Sequence, residues 1–176
     1  SLQAAGVRDF KIALGHIGFL NGVLQSTLQG RLEDQQALKE FLLMRDYVGY
    51  RHYLRGTSLD AATKTKLERI LRLRGGQEMC DEAGEIAGDV LSEAAVRHLC
   101  EVWEALKVYG VIEHVLIDLT MIGNFSYYTG LIFEGYAADL GFPVCSGGRY
   151  DNLLELFGRP APATGFALAT NRILQV

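Results

Sequence analysis

A change in hydrophobic period limits the folds open to this chain more than any other feature of its sequence. Between Leu32 and Leu99 the apolar residues recur every three or four positions, which is the spacing of one helix face. From His114 onward they alternate or form short continuous runs, which are typical of strands. A mainly helical insertion at about 32–99 within strands predicts an α+β fold in which helices flank an antiparallel sheet.

Turn residues set the expected boundaries of the elements. Strands are predicted at 9–14 and near 113–120, 127–138, 143–147 and 164–169. Helices are predicted at 16–28, 36–45, 78–90, 150–157 and 171–176, from a Thr57/Ser58 cap to Leu73, and from near Ser92 to Gly110. The link Gly141-Phe142-Pro143 is too short for a crossover, so the strands on either side of it must pair antiparallel.

Size, charge and cysteine usage exclude several classes of protein. The chain has 176 residues, of which 49% are hydrophobic and 22% charged, so it can bury a core. Its formal charge of −4 disfavours a strongly basic nucleic-acid binder. No apolar run approaches the roughly 18 residues of a membrane helix, so we expect no membrane partner.

The three cysteines, Cys80, Cys100 and Cys145, are odd in number and lack C-x-x-C spacing. This argues against a disulfide framework or a thiolate zinc site and fits a reducing cytoplasm.

Two charged clusters and the histidines have ordinary interpretations. Carboxylates at i,i+4 spacing predict one solvated helix face rather than a cation site: Asp81, Glu85, Asp89 and Glu93. Cations crowd toward a helix end, where the macrodipole favours them: Lys64, Lys66, Arg69, Arg72 and Arg74. A nucleic-acid patch is the less favoured alternative there. The histidines, at 16, 52, 98 and 114, are dispersed in sequence, so no metal site is predicted.

The first candidate site is the aromatic segment 127–136. On a regular strand, alternate residues share a face. One face would carry Tyr128, Gly130, Ile132, Glu134 and Tyr136. Two phenols, a carboxylate and a glycine gap could hold a polar ligand. The alternative, an amphipathic strand with its polar side in water, remains equally open.

The second candidate site is the segment 145–153. Gly147 and Gly148 would let the backbone approach a ligand closely. Arg149 adds a planar donor suited to carboxylate or phosphate. Tyr150 and Asp151 then enter a predicted helix, whose N-terminal amides favour an anion. A plain strand-to-helix turn with an aspartate cap explains the same residues.

Three sequence blocks resemble, in their order, the C-terminal part of the histidyl-tRNA synthetase catalytic core. They are FSYYTGLIFEGY at 125–136, CSGGRYDNL at 145–153 and TGFALATNRI at 164–173. The resemblance implies a sheet of the class II aminoacyl-tRNA synthetase type, with the helical insertion ahead of the three blocks. It also implies that residues 1–176 lack the motifs that open such a core and the anticodon-binding domain.

Two positions depart from the synthetase pattern. Gly123, in the stretch Gly123-Asn124-Phe125-Ser126, stands where the family has an arginine that helps to activate the histidine carboxylate. The last motif keeps Arg172 but carries Ala169 and Asn171 in place of a glycine and a glutamate. Without the first arginine, developing charge loses its strongest local donor. The resemblance therefore implies no catalytic residues, no cofactor and only a vestigial nucleotide-side contact at Arg172.

The residues that remain match the amino-acid side of the family's pocket. Tyr128 and Tyr150 match tyrosines that surround the histidine side chain. The expected histidine-binding set is Tyr128, Glu134, Gly147, Gly148, Arg149 and Tyr150. Such a pocket without activation chemistry resembles the synthetase-like regulatory subunits of ATP phosphoribosyltransferase, which serve the first step of histidine biosynthesis.

That second resemblance implies a set of partners. They are a catalytic subunit, L-histidine as effector and further copies of the chain, with no tRNA among them. Two alternatives stay open. One is a fragment of a histidyl-tRNA synthetase catalytic domain, and the other is an interaction module with no histidine role.

Overall fold

The computed structural model describes residues 2–123, 127–138 and 140–175. Its strands are β1 (Phe10–His16), β2 (Arg74–Gly75), β3 (Val115–Asp118), β4 (Leu131–Ala137), β5 (Pro143–Arg149) and β6 (Thr164–Leu168). Its helices are α1 (Ile17–Thr27), α2 (Leu32–Leu43), α3 (Tyr47–Gly56), α4 (Ala61–Arg69), α5 (Glu78–Ile86), α6 (Val90–Val108) and α7 (Thr170–Ile173). Within the described ranges, no helix combines the length and the apolar character needed to cross a bilayer.

The strands form one six-stranded sheet in the order β2-β3-β1-β4-β5-β6. β4 and β5 pair antiparallel, with Glu134 opposite Ser146, which confirms the predicted hairpin. The pairs β1–β4, β2–β3 and β5–β6 are also antiparallel. β1 and β3 run parallel, with Ile12 opposite Val115, so the expectation of a purely antiparallel sheet is wrong at this pair. The helices between the two strands supply the long crossover that parallel pairing requires.

The helical insertion differs in its boundaries from the predicted one. α2 begins at Leu32 rather than 36, and α3 was not predicted. Only two residues of α3 are buried, Tyr50 and Leu54, so its apolar stripe is short. α4 starts after Asp60, whose carboxylate accepts from the Thr63 amide at 3.0 Å, and not at the expected Thr57/Ser58 cap. Asp60 caps the helix in place of Thr57 or Ser58 because its carboxylate is a charged acceptor for an amide of the first turn.

The break between α5 and α6 overturns the continuous acidic face. α5 ends at Ile86, and Asp89 caps α6 by accepting from the amides of Leu91 and Ser92 at 2.9 and 3.0 Å. Asp81 and Glu85 therefore lie on α5 and Glu93 on α6, so the four carboxylates do not share one helix face. Glu85 instead pairs with Arg69 of α4 at 2.6 Å.

The C-terminal elements are shorter than expected. The predicted helix at 150–157 is wrong, because the chain turns at Asp151 and forms only a short 3-10 segment, Leu154–Phe157. β4 begins at Leu131 rather than at 127, and α7 spans four residues. Val176 lies outside the described residues.

The main core lies between the helices and one face of the sheet. Phe19 and Leu24 of α1 and Leu99 of α6 are fully buried there, together with Ile117 of β3. Burial of each such side chain stabilises the fold by about 1.5–3 kcal/mol. The same cluster continues into α2, α3 and α4, so the insertion and the sheet share one core.

The cysteines correct a second expectation. Cys80 of α5 and Cys100 of α6 form a disulfide, with Cα atoms 6.0 Å apart, and Cys145 is free and buried. Packing of α5 against α6 brings together two residues whose sequence spacing gave no sign of pairing. Since disulfides are rare in reducing compartments, the cysteines no longer support a cytoplasmic location.

Candidate functional site

The candidate site lies on the sheet face that carries Ile132, Glu134 and Tyr136, here called the site face. The register places Ala13 of β1 and Ser146 of β5 on either side of Glu134. The opposite face, here called the helix face, packs against α1 and α6. Because side chains alternate along a strand, the sequence pattern of β4 alone separates these two faces.

Tyr128 lies on the site face above two glycines. A Cβ atom at Gly148 would come within 2.8 Å of the Tyr128 ring, and one at Gly123 within 2.7 Å. Real Cβ atoms do not approach other atoms so closely, so both positions must be glycine for the ring to lie where it does. The expected close approach at Gly148 is therefore made by the tyrosine ring of the protein itself.

Tyr150 completes an aromatic cluster beside Tyr128. Their ring centroids are 6.4 Å apart, and Tyr127 contacts both rings, at 4.8 Å from Tyr128 and 5.6 Å from Tyr150. The Tyr150 hydroxyl lies directly over Gly165 of β6, where any Cβ atom would collide with it. The structure thus brings together the two tyrosines that the sequence singled out.

Glu134 forms a second, charged part of the site. Its Oε2 atom accepts from Arg45 Nη2 at 2.6 Å and from the Tyr136 hydroxyl, and Arg45 also contacts that hydroxyl. The Arg45 guanidinium lies 5.4 Å from the centre of the Tyr136 ring, which adds a cation–π contact. The Glu134 side chain is only 13% exposed, so this counter-charge stabilises a largely buried carboxylate.

Two small cavities flank Glu134. One, of about 20 Å³, is lined by Gly123, Tyr128, Ser146 and Gly147 among others. The other, of about 30 Å³, is lined by Arg45, Tyr47 and residues at the ends of α2 and β3. Each has room for about one or two waters. A larger ligand would require some of the lining side chains to move.

Both site tyrosines near Glu134 stay protonated at neutral pH. Burial, followed by the neighbouring Tyr127, raises the pKa of Tyr128 to about 12. Burial and the hydrogen bond to Glu134 raise the pKa of Tyr136 to about 12. Each phenol can therefore donate a hydrogen bond over the physiological pH range.

Arg149 lies apart from the other predicted binding residues. Its Nε atom pairs with Asp151 at 2.6 Å, and its side chain lines an apolar groove on the helix face with Leu131 and Phe166. Gly147 packs against the backbone of β6 as well as lining the small cavity. Side chains alternate between the two faces along β5. Arg149 is three residues after Ser146, so the two side chains lie on opposite faces of the sheet.

The residues of the expected nucleotide side have structural contacts. Arg172 donates from Nη1 to the Pro143 carbonyl at 2.6 Å and lies 5.3 Å from the centre of the Phe142 ring. Ala169 precedes α7, and Asn171 is exposed within it. Gly123 is followed by three residues that lie outside the described ranges: Asn124, Phe125 and Ser126.

Sequence reasoning missed two features of this region. Arg45 gave no signal, because it is 89 residues from Glu134 in the chain. His16 and His98, called dispersed, lie with His16 Nε2 and His98 Nδ1 3.3 Å apart. Burial, followed by the charge of His98, lowers the pKa of His16 to about 4. Among the residues that the structure describes, no three His, Cys, Asp or Glu side chains form a metal-binding group.

Known proteins resemble this chain over almost its whole length. A family model for histidyl-tRNA synthetase matches residues 1–173. The ATP phosphoribosyltransferase regulatory subunit of Bacillus velezensis is 43% identical over 175 residues, which are 99% of this chain and 44% of that protein. The chain thus spans less than half the length of the curated relatives it matches.

Solved structures agree with that result. An ATP phosphoribosyltransferase regulatory subunit/histidyl-tRNA synthetase from Bacillus halodurans superimposes with a TM-score of 0.94 at 39% identity, over 99% of this chain and 46% of that one. A chain of an ATP phosphoribosyl transferase complex from Thermotoga maritima has a TM-score of 0.61 at 18% identity, over 81% and 48%. The latter shows a shared fold alone.

These matches confirm the α+β fold of the class II synthetase type. The chain belongs to the histidyl-tRNA synthetase family, and within it resembles the ATP phosphoribosyltransferase regulatory subunits.

Proposed function

We propose that this chain is part of a non-catalytic regulatory subunit of ATP phosphoribosyltransferase that binds L-histidine on the site face. The cluster of Tyr128, Tyr150 and Glu134 is the observation that carries the proposal. Two phenols and a carboxylate offer both donors and acceptors to an imidazole, whose two nitrogens need one of each in the neutral form.

The glycine at position 123 supports regulation rather than catalysis. Gly123 lines the small cavity beside Glu134, at the position where the synthetase pattern has an arginine. A guanidinium there would stabilise the charge that develops when a carboxylate attacks ATP. Glycine offers no such donor, so histidine would be held without being activated.

The proposed partner is the catalytic subunit of the same transferase, in a complex that also contains further copies of this chain. The regulatory-subunit name of the Bacillus velezensis relative supports that partner. Feedback requires only that histidine bind one state of the complex more tightly than another. We place the complex in the cytoplasm, as expected for amino-acid biosynthesis.

Calorimetric titration of histidine into the full-length protein tests the proposal. Tyr128→Phe and Tyr150→Phe each remove one hydroxyl, and each should weaken histidine binding by about 2- to 10-fold, the value of about 0.5–1.5 kcal/mol for one hydrogen bond. Tyr→Ala at either position should cost more, because ring packing is lost as well. Inhibition of the transferase by histidine should weaken in parallel, with the uninhibited rate retained.

Tyr53→Phe is the matched control. The Tyr53 hydroxyl donates to Asp34 at 2.7 Å within the insertion, so its loss should leave histidine affinity unchanged. Unchanged affinity in both site variants would end the sensor assignment. Histidine-dependent ATP–pyrophosphate exchange by the unaltered protein would instead favour a genuine histidyl-tRNA synthetase.

A further inference from the structure

The turn after α2 holds an arginine where a glycine would be less strained. Arg45 has φ 56°, and it is the only residue other than glycine with a positive φ in the described ranges. Its amide donates to the Leu42 carbonyl at 3.0 Å, and the next amide, of Asp46, donates to Phe41 at 2.8 Å. These two bonds define a Schellman helix end, whose left-handed position usually carries glycine. A side chain retained there at a conformational cost is expected to have a use.

The Arg45 side chain held by this turn contacts Glu134. Its Nη2 atom reaches Glu134 Oε2 at 2.6 Å and also contacts the Tyr136 hydroxyl, across the gap between the helical insertion and the sheet. The arginine is 54% exposed, whereas the carboxylate it contacts is 13% exposed. We therefore expect the contact to matter mainly for the orientation and charge of Glu134, because solvent screens the exposed Arg45 guanidinium.

The two oxygens of Glu134 have different environments. Oε2 accepts from both Arg45 and Tyr136, while Oε1 accepts a hydrogen bond from none of the described residues. Glu134 also lines the small cavity that it shares with Tyr128 and Ser146. Fixing one oxygen of a planar carboxylate fixes the direction of the other, so Oε1 is preorganised to receive a hydrogen bond from a ligand.

We propose that Arg45 is a positioning residue of the histidine site, which holds Glu134 so that Oε1 accepts an N–H of the bound imidazole. This inference rests on the proposed function, and it makes the turn after α2 a part of the site. Arg45 touches the carboxylate and not the ligand. Arg45 also connects the helical insertion to the site face, because among the described residues it alone forms a salt bridge with Glu134.

Arg45→Gly in the full-length protein separates positioning from a structural role. Glycine suits the left-handed turn better than arginine does, which offsets part of the stability lost with the Glu134 contact, so the melting temperature should change little. Histidine affinity, measured by calorimetry, should nevertheless fall by about tenfold, in keeping with the loss of a charge-assisted contact. Arg45→Lys keeps the charge and should recover part of the affinity. Histidine affinity should thus fall much more than stability does.

A double-mutant cycle tests the route through Glu134. In a Glu134→Gln background, Arg45→Gly should change histidine affinity by less than about twofold, because the group that Arg45 positions is gone. Arg69→Ala is the control, since Arg69 makes a pair of the same 2.6 Å length with Glu85 inside the insertion. It should leave histidine affinity unchanged.

The outcomes distinguish the two proposals. If the unaltered protein binds histidine and Arg45→Gly binds it equally well, the positioning role is overturned while the histidine site stands. The positioning role is also overturned if Arg45→Gly weakens binding as much in the Glu134→Gln background as alone. If the unaltered protein does not bind histidine, both proposals fall.

Discussion

The helical core and the site face use large side chains in opposite ways. In the core, Phe19, Leu99 and Tyr50 are fully buried among other apolar groups. On the site face, Tyr128 and Tyr150 are only partly buried, and each ring lies over a glycine of β5 or β6. The first arrangement leaves no exposed side chain, whereas the second leaves part of each ring accessible. We therefore expect stability to depend mainly on the helical side and the proposed recognition of histidine to depend on the other side.

The largest effect should follow from a cavity in the helical core. Leu99 is fully buried in α6, so Leu99→Ala removes buried methyl groups and leaves a void. We expect the free energy of unfolding of the full-length protein to fall by about 2–5 kcal/mol in urea titrations. Val108→Ala on the same helix, where the side chain is 88% exposed, should change it by less than about 0.5 kcal/mol. Equal losses in both variants would contradict the proposed division.

A smaller effect should follow from adding one methyl group beneath Tyr128. In Gly148→Ala the new Cβ would meet the Leu131 carbonyl at 2.6 Å and the Tyr128 ring at 2.8 Å. We expect a loss of about 1–3 kcal/mol in unfolding free energy from overpacking, and weaker histidine binding because the ring is displaced. Gly84→Ala in α5, where nothing lies within 4 Å, should stabilise by up to about 1 kcal/mol and spare binding. A displaced ring with unchanged histidine affinity would separate Tyr128 from recognition.

The smallest effect concerns His16, which joins β1 to α1 and accepts from the Gly18 amide at 3.1 Å. Its folded-state pKa is about 4, below the value of 6.5 for an unperturbed histidine. Between these values the unfolded chain binds the extra proton, so stability should fall as the pH drops from about 6.5 to about 4 and then level off. The full shift corresponds to at most about 3 kcal/mol, and we expect the partial solvent exposure of His16 to reduce the loss to about 1 kcal/mol. His16→Asn keeps a capping acceptor and removes the titration, so its unfolding free energy should vary less over this pH range. An identical pH profile in both proteins would show that His16 does not contribute.

Periodicity predicted the elements better than their ends. α1 and α6, with long apolar stripes, lie close to where the sequence placed them. α3 was missed and the helix at 150–157 was wrong, because both segments have short or unsupported stripes. The boundary of α4 was misplaced because Thr57, Ser58 and Asp60 are all acceptable caps by residue type, and only the local hydrogen bonds select Asp60.

The candidate site was predicted in part. Tyr128, Glu134 and Gly147 do line one small cavity, and Tyr150 packs nearby, as the alternation of β4 and the resemblance to the synthetase family implied. Arg149 is on the other side of the sheet, because a regular pleat sends its side chain away from the site face. The role of each residue toward histidine remains a prediction that the titrations above will test.

The sequence by itself determined the α+β fold, the hairpin between β4 and β5, and the family, because these depend on local periodicity, short links and motifs that lie within a few residues of one another. Only the tertiary structure decided which distant groups meet: Arg45 with Glu134, His16 with His98, and Cys80 with Cys100. It also decided that β1 and β3 run parallel. The physical reason is the same in each case. Contacts between residues far apart in the chain depend on how whole elements pack, and no spacing within a single element records that packing.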